Sequence, residues 1–442
     1  MNIVLLSGGS GKRLWPLSND IRSKQFIKIF KKKDGSYESM VQRMYRQIRL
    51  IDPNASITIA TSKAQVSSIH NQLGCDVGIS VEPCRKDTFP AIALAAAYLK
   101  YVKGLDDNEP VIICPIDPYV EEDYFVALKA LSDQVNRTSE NMVLLGIEPT
   151  FPSMKYGYVI PDTPCKEKGT FYKVLECKEK PSTKEAQRYI DSGALWNGGI
   201  FAFKLSYILN KAHELIDFTD YEDLYSKYGQ LEAISFDYAV VEKEKSALVM
   251  AFDGKWMDLG TWNTLTEAME EPIIGKGILN EDCKDVHIVN EMDVPILAMG
   301  LKDVVISASP EGILVSDMDQ SARIKPYVDR FEQQVMFAEK SWGNYKVLDV
   351  EKDSMTIKVT LNAGQSMNYH SHKHRDEVWV VTSGRGRTIV DGMEQPVRAG
   401  DVITMSAGCR HTVVADSELC LIEVQLGSSI SVNDKVKHEL ER

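Results

Sequence analysis

The 442-residue chain has 8 cysteines but no CxxC pair among them. Without paired spacing there is no thiolate metal site or dithiol redox motif to build on. Cys75, Cys114 and Cys420 sit in apolar surroundings, as expected of reduced core thiols in a cytoplasmic protein. No apolar run approaches the ~18 residues of a membrane helix. No basic segment followed by an apolar stretch opens the chain, so neither a membrane partner nor a secretory leader is expected. Positive charge is not in excess: 51 Lys and Arg stand against 63 Asp and Glu, for a net charge of -12. That balance argues against nucleic acid as the main partner. Two phosphate loops are also missing. A P-loop ending at Lys12 would need its first glycine where Leu6 stands and Ser or Thr where Arg13 stands. A dinucleotide fingerprint begun at Gly9 would need a third glycine where Leu14 stands.

What is present begins at the N-terminus. Ile3 to Leu6 form a short apolar run bounded by glycine, suited to a buried parallel strand. Gly8, Gly9 and Gly11 follow, with little side chain to keep a ligand away and backbone N–H groups free to converge on an anion. Lys12, Arg13 and Lys24 add cations suited to a polyphosphate. From residue 1 to about 265, apolar runs (56–61, 111–115, 142–147) alternate with amphipathic stretches, among them a helix expected over 90–100. That alternation predicts an open, mostly parallel sheet with ligands at the carboxyl ends of its strands. Around 275–330 the pattern turns to short β-like runs (286–289, 304–307, 312–315), and a helix is expected over 327–340. From 340 to about 427 short strands (355–361, 377–382, 387–390, 401–405, 419–424) come with turn signals, Asp391-Gly392 being of hairpin type. This predicts a small β-barrel or jelly roll. The polar end, 433–442, is expected to be a terminal helix or frayed.

A second constellation lies in that β-rich half. Gly364, His370, His372, Glu377 and Gly384 give G-x5-H-x-H-x4-E-x6-G, and Gly400, Gly408 and His411 supply a second, looser pattern. Histidines on alternate positions of one strand face the same way, so His370 and His372 can reach one metal. The two patterns resemble the motifs of the cupin barrel, which implies that Glu377 and His411 complete a set of three nitrogens and one oxygen, suited to Zn, Fe, Mn or Ni.

The run GGSGKRLWPLS followed by SKQF resembles the signature loop of sugar-1-phosphate nucleotidyltransferases, and is most similar to the mannose-1-phosphate guanylyltransferase branch. Lys12 stands where that branch has Thr, and Ser23 where it has Pro. Further stretches fit in order: the segment opening at Glu82, Tyr156-Gly157-Tyr158-Val159, Glu179-Lys180-Pro181, Leu195 to Phe201, Phe236 to Lys243 and Lys255 to Trp262. The resemblance implies an α/β fold: a Rossmann-like, GT-A-like mixed sheet over 1–270, a β-rich connector over 271–335, and a cupin barrel over 336–442. The two cupin patterns and the runs Trp342 to Tyr345, His372 to Trp379 and Leu421 to Gly427 resemble the mannose-6-phosphate isomerase domain of bifunctional type II enzymes.

By that resemblance Asp117 and Asp258 hold Mg²⁺, a cation that prefers hard oxygen ligands. Arg13 and Lys24 hold the triphosphate, and Lys180 the attacking sugar phosphate. Gly8, Gly9, Gly11, Lys12, Glu82, Arg85 and Thr88 line the nucleotide site, and Gly157, Glu179 and Asn197 the sugar. Asp87 replaces Asn, Phe89 replaces Ala and Pro118 replaces His, so the base stays open. The implied reaction joins a nucleoside triphosphate and a sugar-1-phosphate into an NDP-sugar and pyrophosphate, with GTP and mannose-1-phosphate the expected pair. The alternatives are another sugar or base, a non-catalytic nucleotide-sugar sensor, and a function carried wholly by the cupin. The resemblance also allows a cupin isomerase activity and a homodimer.

Overall fold

The computed structural model describes residues 1–8, 12–19, 21–331, 334–431 and 434–440. Its contacts divide the chain into two units. One contains Met1–Ser10, Gln25–Val66 and Leu73–Glu270; the other contains Gly11–Lys24, Ser67–Gln72 and Glu271–Arg442.

The first unit is built on a nine-stranded sheet. Its order runs Gly78–Glu82, Ser56–Ser62, Asn2–Ser7, Pro110–Pro115, Leu195–Lys204, Met142–Ile147, Ala247–Phe252, Phe171–Lys178 and Gly157–Pro161. The first four of these strands are parallel, as the alternation of strands and helices predicts. Leu195–Lys204 breaks the rule by running antiparallel to both of its neighbours in that order, Pro110–Pro115 and Met142–Ile147. Phe171–Lys178 likewise runs antiparallel to both Ala247–Phe252 and Gly157–Pro161, so the sheet is mixed rather than mostly parallel. Gly157–Pro161 returns to Phe171–Lys178 through a short connection, as antiparallel neighbours can, whereas Leu195–Lys204 enters the sheet after the intervening helix Thr183–Asp191. The expected helix over 90–100 is Thr88–Ala97, continued by a wider π turn over Tyr98–Val102. Residues Phe89 to Ala97 are all buried, so this helix has no solvent face and lies in the core with Val4, Val111, Phe201 and Val249.

In the second unit, Ile273–Ile274, Lys284–Asn290 and Lys302–Ser309 form parallel rungs, and Gly312–Asp317 closes them antiparallel. Gly277–Leu279 pairs parallel with Ile296–Ala298. Val286, Ile288, Ala298 and Ile306 fill the small core of this connector. The helix expected over 327–340 is corrected: among the described residues there, only the turn Lys325–Val328 is helical, and Phe337–Lys340 is a strand. That strand forms an antiparallel hairpin with Gly343–Val350, a pairing that overrides local helix preference.

The barrel consists of a six-stranded and a five-stranded sheet. Its core includes Val359, Leu361, Trp379, Val381, Val413 and Leu421. Asp391-Gly392 makes the expected hairpin turn, with Val390 facing Met393. A terminal helix is not what the described residues show: Val436–Lys437 adds a short strand to His370–Ser371.

Candidate functional site

Four parallel strands of the first unit end at one cleft of about 330 Å³. It is lined by Ser7 and Gly8 after the first strand, Ser62 and Gln65 after the second, Glu82, Arg85, Asp87 and Thr88 after the third, and Pro115 at the fourth. Carboxyl ends of parallel strands are where open α/β sheets bind ligands. Gly8, Glu82, Arg85 and Thr88 therefore come together, as the sequence predicts; Gly9 and Gly11 lie outside the described residues. Under Gly8 is a buried network with no sequence signal of its own. Ser7 and Thr61 donate hydroxyl hydrogen bonds to Gln65 Oε1 at 3.0 and 2.7 Å, and Gln25 Nε2 donates to Ser7 Oγ at 2.9 Å. Tyr228 donates to Glu82 at 2.7 Å, while burial pushes the Glu82 carboxyl up. Asp87 caps the central helix at Thr88 N with φ at 72°, a conformation rarely adopted outside glycine. Phe89 is buried against Phe236, so that departure serves packing.

A second cleft of about 230 Å³ shares Leu6, Thr88 and Pro115 with the first and contains Asp117, Tyr156, Asp237, Trp256 and Asp258. The two metal-candidate aspartates are far apart in sequence. A two-stranded ribbon unites them: Pro118–Val120 pairs with Trp256–Asp258, with Asp258 opposite Pro118 and thus beside Asp117. Burial, then the Asp258 and Asp117 charges, push the Tyr156 hydroxyl up to about 12. A pair of carboxylates that disfavours further negative charge suits a hard divalent cation.

Gly157, Glu179 and Asn197 also converge. A Cβ on Gly157 would stand 2.4 Å from Glu179 Oε2 and 3.3 Å from Asn197 Cβ, so a side chain there would push the Glu179 carboxylate aside. Asn197 donates to Asp237 at 2.6 Å and accepts from Gly199 N at 3.0 Å. Lys180 pairs with Glu179 at 3.2 Å. Burial raises both Asp237 and Glu179; at Glu179 the Asp237 charge adds to it. Asp237, given no role from sequence, is thus tied directly to a predicted sugar residue.

Lys12, Arg13 and Lys24 fall within the second unit. Lys12 pairs with Asp329 at 3.1 Å, and Arg13 is exposed.

The barrel brings its four candidates together from both sheets. His370 lies directly opposite His411, and Glu377 comes from the other sheet. Ligand nitrogens of His370, His372 and His411 all lie within 4.8 Å of one another. Each ring engages a backbone carbonyl through Nδ1: Asn368 at 2.7 Å, Asp434, and Cys409 at 3.0 Å. Those bonds orient each ring with Nδ1 on a carbonyl and Nε2 turned away from it, the orientation metal-bound imidazoles use. His411 Nε2 is buried with no hydrogen-bond partner among the described residues, 3.3 Å from Glu377 Oε2. Burial pushes His370 down to about 3, keeping it neutral as a ligand must be. Glu377 is fixed by Arg375 at 3.0 Å and Trp379 Nε1 at 3.1 Å. Burial opposes its charge, but His372 and His411 outweigh it and hold the carboxyl far below its usual range. This donor set fits a divalent metal. Sequence reasoning missed Arg375, Asp434 and the buried Glu423, whose carboxyl is pushed up by burial and then by Glu377. Arg375 and Asp434 lie outside the histidine spacing, and Glu423 is recognisable only by its place on the strand beside Glu377.

No helix among the described residues is long and apolar enough to cross a membrane. The nucleotidyl transferase family model matches residues 2–273, and the cupin domain model matches 357–425. The chain is 28% identical to a putative mannose-1-phosphate guanylyltransferase of Vibrio cholerae, with 99% of each chain covered. It is 25% identical to a mannose-1-phosphate guanylyltransferase of Salmonella montevideo, with 98% of each covered. A solved structure from Thermus thermophilus, named a mannose-1-phosphate geranyltransferase, superposes with a TM-score of 0.61 at 26% identity, covering 74% of this chain and 98% of that one. With more than half of its length matched, the chain belongs to the nucleotidyl transferase family and carries a cupin domain behind it.

Proposed function

We propose that the chain transfers a guanylyl group from GTP to mannose-1-phosphate, giving GDP-mannose and pyrophosphate. The observation that carries this reading is the ribbon that sets Asp258 beside Asp117 in a cleft sharing its wall with the Glu82–Thr88 cleft. The names of relatives matched over nearly the whole chain support the choice of sugar and base.

A phosphate oxygen of the sugar-1-phosphate attacks the α-phosphorus. The bond from that phosphorus to the bridging oxygen breaks, and pyrophosphate leaves. Glu82, Arg85 and Thr88 receive base and ribose, with Gly8, the rest of the glycine stretch and Lys12 against the phosphates. Arg13 and Lys24 hold the triphosphate. Glu179 and Asn197 hold sugar hydroxyls, Gly157 lets the sugar approach, and Lys180 holds the attacking phosphate. Asp117 and Asp258 would hold Mg²⁺, which supplies neutralisation of charge developing on the phosphates. No protein nucleophile is needed, because positioning and charge neutralisation supply most of such catalysis.

In the barrel, His370, His372, His411 and Glu377 would hold Zn, Fe, Mn or Ni. A second reading, interconversion of fructose-6-phosphate and mannose-6-phosphate there, is favoured by that preorganised donor set. A cytoplasmic homodimer completes the proposal. The test is pyrophosphate release with Mg²⁺ across four nucleoside triphosphates and a panel of sugar-1-phosphates. Turnover confined to GTP with mannose-1-phosphate is expected. Another preferred pair would move the specificity to Asp87 and the sugar cleft, and silence with every pair would overturn the catalytic reading.

A further inference from the structure

The segment that follows the glycine stretch carries Lys12, Arg13 and Lys24, yet its buried side chains are held by residues far along the chain. Asn19 is 3% exposed and donates from Nδ2 to Glu311 Oε1 at 2.7 Å. Its Oδ1 accepts from Ile21 N and Arg22 N at 2.8 and 2.6 Å. Arg22, 6% exposed, forks onto both oxygens of Glu291 at 2.7 and 2.9 Å. Ser309 donates to the Pro16 carbonyl at 2.6 Å. The Trp15 ring lies over Gly312, where a Cβ would stand 2.6 Å away, and stacks on Phe331 with centroids 5.5 Å apart. Glu311 Oε1 also accepts from Met336 N and Phe337 N at 2.9 and 3.1 Å, so the acceptor itself is fixed.

All of these contacts lie within the second unit. A glycine-rich loop has no side-chain packing of its own to fix cations at a polyphosphate, and an unfixed loop must lose its freedom on binding. Buried bidentate pairs restrict orientation more than they add stability. We propose that Glu291 and Glu311 of the connector are positioning residues for nucleotide binding: by fixing segment 12–24 through Arg22 and Asn19 they set the affinity for the triphosphate. The inference rests on the reading that Arg13 and Lys24 hold that triphosphate.

The test uses the full chain and the affinities of Mg²⁺–GTP and GMP measured by titration calorimetry. Variants Glu291→Gln and Glu311→Gln are compared with Val286→Ala, which loosens the connector core without touching segment 12–24. The two glutamate variants are expected to weaken GTP binding about tenfold beyond the valine control, and to weaken GMP binding less. Equal affinities in all three variants, or equal losses for GTP and GMP, would overturn the inference. A wild type that binds GTP with this pattern but releases no pyrophosphate would sustain the positioning role while sinking the catalytic reading. A wild type that binds no GTP would overturn both.

Discussion

The two ligand-ready regions of this chain are built by opposite means. In the barrel, side chains supply the site: three imidazoles and a carboxylate project inward, each oriented by a second partner. In the first unit, backbone ends supply it, with clefts opening where parallel strands stop and side chains arriving from several loops. Strand alternation fixes to which side a barrel side chain points, so in the first kind of site spacing accounts for His370 and His372, while Glu377 and His411 arrive on other strands. The second kind depends on which loops the topology brings together, and spacing does not encode that.

The sharpest way to break this comparison is to remove one member of each site. Asp258→Asn is expected to lower kcat about a thousandfold while bound barrel metal, measured by elemental analysis, stays at wild-type stoichiometry. His411→Ala is expected to do the reverse, emptying the barrel and sparing pyrophosphate release. If either variant abolishes both signals, the two sites are not independent. A smaller effect is expected at Gly157→Ala. The added carbon meets Glu179 Oε2 at 2.4 Å, so KM for the sugar phosphate should rise about tenfold with little change in KM for the nucleotide. An unchanged sugar KM would detach Glu179 from the sugar.

How much of this was legible from residues alone follows the same division. The pleat turns His370 and His372 to one side, while Glu377 and His411, on other strands, enter by resemblance to the cupin patterns. The partners that orient them do not follow from spacing. Asp434 reaches His372 only because the chain end adds a strand at His370, which the polar composition of 433–442 does not suggest. In the first unit the apolar runs locate the strands, but not the reversal at Leu195–Lys204 that makes the sheet mixed. Asp117 and Asp258 were paired by resemblance to a family; the physical cause is a three-residue ribbon too short to leave a hydrophobic pattern. Gln65 carries no motif, and only its buried bonds to Ser7 and Thr61 single it out. The helix expected over 327–340 failed because a hairpin partner at Gly343–Val350 claims its second half.

The smallest predicted effect sharpens the comparison by separating charge from geometry. Asp237 accepts from Asn197 at 2.6 Å, and burial, the largest influence, raises its carboxyl above the ordinary value despite that bond. A carboxyl whose pKa is higher folded than unfolded binds its proton more tightly in the folded state. Its contribution to stability is therefore fully present below the unfolded pKa and is lost as pH rises through the folded one. At neutral pH the ionised Asp237 works against folding. Asp237→Asn retains an acceptor for Asn197 and cannot ionise, so the variant should resist urea better than wild type at pH 7. The difference should close as pH falls through the folded pKa and below the unfolded one, where both states carry the protonated carboxyl. In the barrel the same test inverts, because Glu377 is held below its usual range and its charge favours the folded state. Glu377→Gln should lose stability at neutral pH and approach wild type only in strong acid. Urea midpoints of both variants across that range would check the pair, and a destabilised Asp237→Asn at pH 7 would mean that its bond to Asn197 needs the full negative charge.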